Sequence, residues 1–230
     1  MGLFYMLNLN NYHTIVFDLD GTLVDSVPDL TLGLNHALVT LNFPEVSQED
    51  VRGWVGNGSL KLIERALAHF NEHNPGQISA VHKQFLISYK LFLCEQSTLY
   101  PGVMALLKGL HEQEKTLVLL TNKPIQFVPQ LLGHLKIDDV FSLVLGGDSL
   151  SEKKPHPLPL LHVLETFNNT PEQCLMVGDS RSDIVCAQQA GVDSVALLQG
   201  YNQGIDLAAL QPTHVFDDIN SLHKSLSYNI

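Results

Sequence analysis

Two carboxylates one residue apart, Asp18 and Asp20, close the short apolar run from Thr14 to Phe17. A β-branched run of that length has the pattern of a buried strand. Gly21 follows directly and lets backbone approach a ligand closely. Two acids held side by side repel unless something positive lies between them, and a divalent cation is the usual answer. A solvated turn would also use Asp and Gly. A calcium loop would not fit. It needs acids at positions one, three and five with glycine at six, whereas Gly21 falls fourth and a strand precedes it.

Other polar groups punctuate the chain in the same way. Thr121 and Asn122 end the run Thr116 to Leu120, and Asp179 and Asp183 follow the run Cys174 to Val177. In a parallel sheet such strand ends share one edge, where ligands bind. Lys154, in Lys153-Lys154-Pro155-His156-Pro157, lies beyond a further strand end. Carboxylates, a metal niche, a hydroxyl and a fixed ammonium suit phosphoryl transfer, which needs a nucleophile and neutralisation of charge on the transferring oxygens. Each has a plainer explanation when taken singly. Thr121-Asn122 could cap a helix, Asp183 could favour a helix start, and Lys153 and Lys154 could be solvated loop residues. Their order and their placement at strand ends favour the joint reading. His111, His134, His156 and His162 lack metal-ligand spacing, and Gly56-Asn57-Gly58 follows a helix and lacks the third glycine of a dinucleotide loop.

These side chains need a frame. The spacing of Leu30, Leu34, Leu38 and Leu41 predicts a helix from Pro28 to Leu41. Ser47 and Asp50 start a second helix, Ser59 is expected to cap a third, and a fourth fits Ile78 to Cys94. The stretch from Ser26 to Thr98 therefore reads as helical throughout. Tyr100-Pro101-Gly102 marks a boundary, after which strands and helices alternate. Strands are expected at Thr116–Leu120, Phe141–Leu145, Cys174–Val177, Val195–Leu198 and His214–Phe216, with helices between them and after the last two. Alternation of this kind implies a parallel sheet with crossover helices. The expected fold is α/β: a Rossmann-like parallel sheet core, residues 1–25 and 99–230, with an inserted all-helical cap domain, residues 26–98.

The 230 residues are enough for one sizeable core or a core with a smaller insert. Thirteen basic and 24 acidic residues give a net charge of -11, which disfavours nucleic acid and anionic lipid as partners. An anionic substrate must then be met by a few placed cations. Cys94, Cys174 and Cys186 are odd in number and far apart, which argues against a disulfide framework and fits a cytoplasmic protein. No apolar run has the length of a membrane span. Met1 to Tyr12 carries no basic residue and reads as a frayed lead-in rather than a signal peptide.

The ordered set Asp18-Leu-Asp-Gly-Thr22, Leu120-Thr121-Asn122, Lys154 and Gly178-Asp179-Ser180-Arg181-Ser182-Asp183 resembles the four motifs of the haloacid dehalogenase-like hydrolases. The resemblance covers all but the first dozen residues. It implies a magnesium-dependent phosphatase of small anionic phosphate monoesters, a monomer or homodimer. Trp54 to Gly58 and Gly200-Tyr201-Asn202 are similar to a subgroup acting on 2-phosphoglycolate. By the resemblance Asp18 is the nucleophile that forms an aspartyl-phosphate, and Asp20 is the general acid and base. Asp18, the Asp20 carbonyl and Asp179 hold magnesium, and Asp183 supports it without touching it or through water. Thr121 and the amides near Gly21 and Asn122 bind phosphoryl oxygens, and Lys154 holds Asp18 and the phosphoryl group. For the rest of the substrate, Arg65 is the candidate partner, one turn after Lys61 on the third helix. The competing readings are a dehalogenase, which needs no acid at position 20; a phosphonate hydrolase, which would want a cap lysine; a sugar-phosphate mutase; and a phosphate-binding regulator without turnover.

Overall fold

The computed structural model describes residues 7–227. Its centre is a six-stranded parallel sheet in the order β5-β4-β1-β6-β7-β8. The strands are β1 (Thr14–Phe17), β4 (Thr116–Leu120), β5 (Leu143–Leu145), β6 (Cys174–Gly178), β7 (Asp193–Leu197) and β8 (His214–Phe216). β1 is flanked by β4 and β6, with Phe17 opposite both Leu119 and Val177. The chain fills one side of β1 first and then crosses to the other, so the order reverses beside β1. Crevices at such reversals are where open α/β sheets bind ligands. Both faces of β1 are covered, which explains an apolar run without alternation. Ile15 and Phe17 join one apolar cluster and Val16 joins another.

The crossover helices are α5 (Val103–Glu112), α6 (Val128–Leu135), α7 (Leu158–Phe167) and α8 (Arg181–Ala190), and α9 (Ile219–Ser227) follows the last strand. Gly191, at φ 72°, stops α8 as its sequence suggests. A helix expected after β7 is absent. That segment holds one short 3-10 turn, Ala208–Leu210, ending at Gln211 in the left-handed region. Residues 7–12 are not a frayed lead-in. Leu7, Leu9 and Tyr12 are buried, and Lys115 Nζ donates to the carbonyls of Leu9 and Tyr12 at 2.9 Å each. Met1 to Met6 of that stretch lie outside the described residues. Among the described residues, no helix is long and apolar enough to cross a membrane.

Between β1 and β4 stand α1 (Val27–Thr40), α2 (Gln48–Trp54), α3 (Ser59–His69) and α4 (Pro75–Phe92). The segment is not helical from end to end. It leaves and rejoins the sheet layer through β2 (Val24–Asp25) and β3 (Thr98–Leu99), paired antiparallel with Val24 opposite Leu99. Two residues carry too little periodicity to reveal such strands. Ser47 and Asp50 form the reciprocal cap of α2. Ser59 does not cap α3. Gly58 at φ 89° takes that place, and Ser59 Oγ pairs with His82 Nε2 at 2.9 Å. Asp29, buried in the first turn of α1, accepts the N–H groups of Cys94, Gln96 and Ser97 and so ties down the return towards β3.

Candidate active site

The carboxyl ends of β1, β4 and β6 bring the polar residues together. Asp18 follows β1, Thr121 and Asn122 follow β4, and Asp179 follows β6. Asp183 enters from the first turn of α8. Ligand oxygens of Asp18, Asp179 and Asp183 lie within 4.8 Å of one another, and all three residues are buried. Lys154 is 2% exposed and reaches into the same cluster. Its Nζ lies 2.6 Å from Asp183 Oδ1 and 2.9 Å from Asp18 Oδ1, and donates to the Leu120 carbonyl at 2.6 Å. The contact with Asp18 is an ion pair too poorly aligned to satisfy Oδ1 as a hydrogen bond. Lys153, next in the chain, is exposed and donates to the Asn57 carbonyl at 3.2 Å.

The remaining acids are fixed by their neighbours. Asp179 accepts Thr22 Oγ1 and the Tyr201 N–H, both at 2.6 Å. Asp183 Oδ2 accepts the Ser180 N–H at 3.0 Å and Ser180 Oγ at 2.6 Å, a reciprocal cap that holds its carboxylate inward. Gly21 is required where it stands: its φ is 92°, and a Cβ there would lie 2.2 Å from Asp179 Oδ2. Asp20 Oδ1 accepts Ser26 Oγ at 2.6 Å, so Ser26 serves the acid rather than capping α1.

The charge balance of the cluster suits a cation. Three buried carboxylates face one buried ammonium, that of Lys154. Burial pushes the Asp18 carboxyl up to about 7, with Lys154 opposing and Asp183 and Asp20 adding to the rise. Burial, with Asp18 and Asp183, drives Asp179 well above the ordinary carboxylate range. Buried acids crowded in this way are relieved by a divalent ion with oxygen ligands. For Lys154 burial works against the charge, yet Asp18 and Asp183 outweigh it and the pKa is raised.

A pocket of about 500 Å3, open solvent included, lies over these groups. Asp18, Asp20, Thr121, Asn122 and Lys123 line its floor, and Val55, Gly56, Gly58 and Ser59 with Leu62, Phe85 and Tyr89 form its roof. Asn122 Nδ2 donates to the Lys154 carbonyl at 3.0 Å and the Gly56 carbonyl at 3.3 Å, joining floor and roof. One expectation needs amendment. Arg65 does not line this pocket. Its guanidinium holds the Trp54 carbonyl at 2.5 Å and Asn57 Oδ1 at 2.6 Å, in the wall of a neighbouring cleft. Lys123, to which the sequence motifs assign no role, directly follows Thr121-Asn122 at the same strand end. Its Nζ lies 2.9 Å from Asp20 Oδ1 and 4.8 Å from the centre of the Tyr89 ring. Lys61 pairs with Glu64 on the exposed face of α3.

Comparison with known proteins gives a consistent picture. A family model described as haloacid dehalogenase-like hydrolase matches residues 15–197. The chain is 44% identical over 213 residues to the phosphoglycolate phosphatase of Psychrobacter arcticus, covering 90% of this chain and 93% of that one. It is 42% identical to the phosphoglycolate phosphatase of Colwellia psychrerythraea, covering 96% and 99%. The crystal structure of a predicted phosphoglycolate phosphatase from Haemophilus somnus superposes with a TM-score of 0.88 at 40% identity, covering 94% and 99%.

Proposed function

The chain belongs to the haloacid dehalogenase-like hydrolases, and from that membership we propose that it hydrolyses 2-phosphoglycolate to glycolate and phosphate with magnesium. The observation that carries the reading is the buried cluster Asp18, Asp179, Asp183 and Lys154 beneath a pocket that Asp20 also lines. The named relatives, at 42–44% identity over nearly the whole chain, support the substrate.

Asp18 attacks phosphorus and is converted to an aspartyl-phosphate, so one hard displacement becomes two easier ones. Asp20 gives its proton to the leaving glycolate oxygen, then takes one from the water that hydrolyses the aspartyl-phosphate. The Thr121 hydroxyl, the amides at Gly21 and Asn122, and the Lys154 ammonium receive the phosphoryl oxygens. Asp18, Asp179 and the Asp20 carbonyl would hold magnesium, with Asp183 behind them. The ion would neutralise charge on the phosphoryl group and on the attacking carboxylate together. Lys123 is the pocket cation placed to meet the glycolate carboxylate, a role its position supports better than that of Arg65. Residues 26–98 act as a cap domain on the core formed by 1–25 and 99–230, and their closure excludes water. The enzyme works as a cytoplasmic monomer or homodimer. Free cysteines fit that compartment.

The test is phosphate release across small monoesters, with and without magnesium. Phosphoglycolate should be preferred, chelation should stop turnover, and Asp18→Asn should remove it while the fold survives. Losing one such catalytic group costs roughly a hundredfold or more. Near-normal turnover by Asp18→Asn sinks the mechanism, and a preference for sugar phosphates sinks the substrate.

A further inference from the structure

The protein is acidic, yet five of its 13 basic residues gather at one place. Lys61, Arg65, Lys153, Lys154 and Arg181 line a cleft beside the catalytic pocket, and no carboxylate lines it with them. The cleft is open to solvent and takes in about 890 Å3, that solvent included. The wall between cleft and pocket is the turn at residues 56–58. Gly56 and Gly58 face the catalytic pocket, and Asn57 faces the cleft.

Asn57 is a junction. Its Nδ2 donates to Ser182 Oγ at 2.8 Å, and its Oδ1 accepts from Arg65 at 2.6 Å and from Gln203 at 3.3 Å. Its carbonyl accepts from Lys153 Nζ at 3.2 Å. Two of the cations around it, Arg65 and Lys153, are therefore held in place by the turn itself. The cations also come from both sides: Lys61 and Arg65 from α3 in the helical segment, Lys153 and Arg181 from the sheet layer. Only Lys61 of these four has a carboxylate partner among the described residues. Burial draws the Arg65 guanidinium below its usual pKa, with Glu64 opposing.

We propose that this cleft is a second binding site, for a small anion built as a chain of phosphoryl groups. Several charges are needed to meet cations on both walls. Charge-assisted hydrogen bonds from lysine and arginine are the strong contacts such an anion can make. Its occupancy would tie α3 to the start of α8 and fix the Asn57 turn. That turn is shared with the catalytic pocket, so binding in the cleft and binding in the pocket would be coupled. The inference does not depend on which monoester is hydrolysed.

The experiment is calorimetry with inorganic tripolyphosphate on the metal-free protein at low ionic strength, where the acidic cluster repels anions and nothing is turned over. Saturable one-to-one binding is expected. The double variant Lys61→Gln, Arg181→Gln should bind at least roughly tenfold more weakly, the scale of losing charge-assisted hydrogen bonds. With magnesium and no tripolyphosphate the same variant should hydrolyse phosphoglycolate much as the wild type does, and its thermal melt should be unchanged. ATP run alongside separates the sources: equal affinity assigns the contact to the phosphoryl chain alone, and tighter binding adds a nucleoside contact. Absence of saturable binding, or equal binding by the double variant, overturns the proposal whatever the substrate proves to be.

Discussion

Asp18 carries two opposed demands. The proposed nucleophile has to be ionised, but burial, with Asp183 and Asp20 adding to it, leaves its carboxyl raised to about 7 even with Lys154 opposing. Lys154 opposes the shift without cancelling it, which leaves the remaining neutralisation to a bound cation. The effect on stability has a definite sign. An acid whose folded pKa lies above its ordinary 3.8 holds protons more tightly when folded, so stability falls as pH rises between those two values. Without magnesium, the melting temperature should therefore drop from about pH 4 to about pH 7, and Asp18→Asn should flatten part of that slope. A wild-type melt that stays level or rises across this window would contradict the assignment. Lys123 and Arg65 separate cleanly in the same frame. Lys123→Met should weaken turnover of phosphoglycolate by roughly tenfold or more relative to an aryl phosphate without a carboxylate, the scale of a charge-assisted hydrogen bond. Arg65→Ala should affect both substrates alike, because its side chain holds the turn that roofs the pocket. Steady-state kinetics on the two substrates decide it, and a selective loss in Arg65→Ala would reverse the assignment.

Among the elements, the pair α1 and α4 sets how the helical segment is built. Gly33 lets the two helices approach until an added Cβ would lie 2.9 Å from the Tyr89 Cα. Tyr89 in turn stacks on Phe85 and meets Phe127 edge-on at 5.0 Å, across the boundary with the sheet layer. Gly33→Ala gains about 1 kcal/mol of helix propensity. It should nevertheless destabilise, because overpacking against backbone costs typically about 1–3 kcal/mol and shifts Tyr89 in the pocket wall. Denaturant unfolding checks this, and a clear gain in stability would show that the helices can separate freely. β2 and β3 are too short to be stable alone. They persist because Tyr201 pins the first of them. Its hydroxyl donates to Asp25 at 2.6 Å and accepts the Ser26 N–H at 2.9 Å, while its own N–H serves Asp179.

Over the whole molecule, the helical segment and one face of the sheet share a single apolar cluster, from Leu34 and Val81 through Phe85 and Phe127 to Ile15. The roof of the pocket is nonetheless a short turn resting on a few polar contacts, those of Asn57, Asn122 and Gln203. Local opening is easiest where buried apolar contacts are few. Amide exchange over residues 54–59 should therefore be fast in the free protein and should slow when magnesium and a phosphate analogue are added. Unchanged exchange there would mean that this turn does not gate the pocket.

Much of this was legible along the chain because strand ends are marked locally. An apolar run closed by Asp18, Thr121 or Asp179 announces both the strand and the edge where its polar residue emerges. Strand–helix alternation gave the parallel sheet, leucine spacing the helices of the insert and the polar strand ends the residues of the cluster, since each depends on neighbours within a few positions. Other features depend on groups far apart in sequence. The roles of Lys123 and Arg65 were decided by which wall each side chain reaches. Lys154 and Lys153 differ only in burial, which no dipeptide reveals. Ser59 looks like a cap, but its hydroxyl pairs with His82, 23 residues away. The basic cleft is invisible in a net charge of -11, because its cations lie on three separate stretches of chain and meet only when α3 is laid against the start of α8.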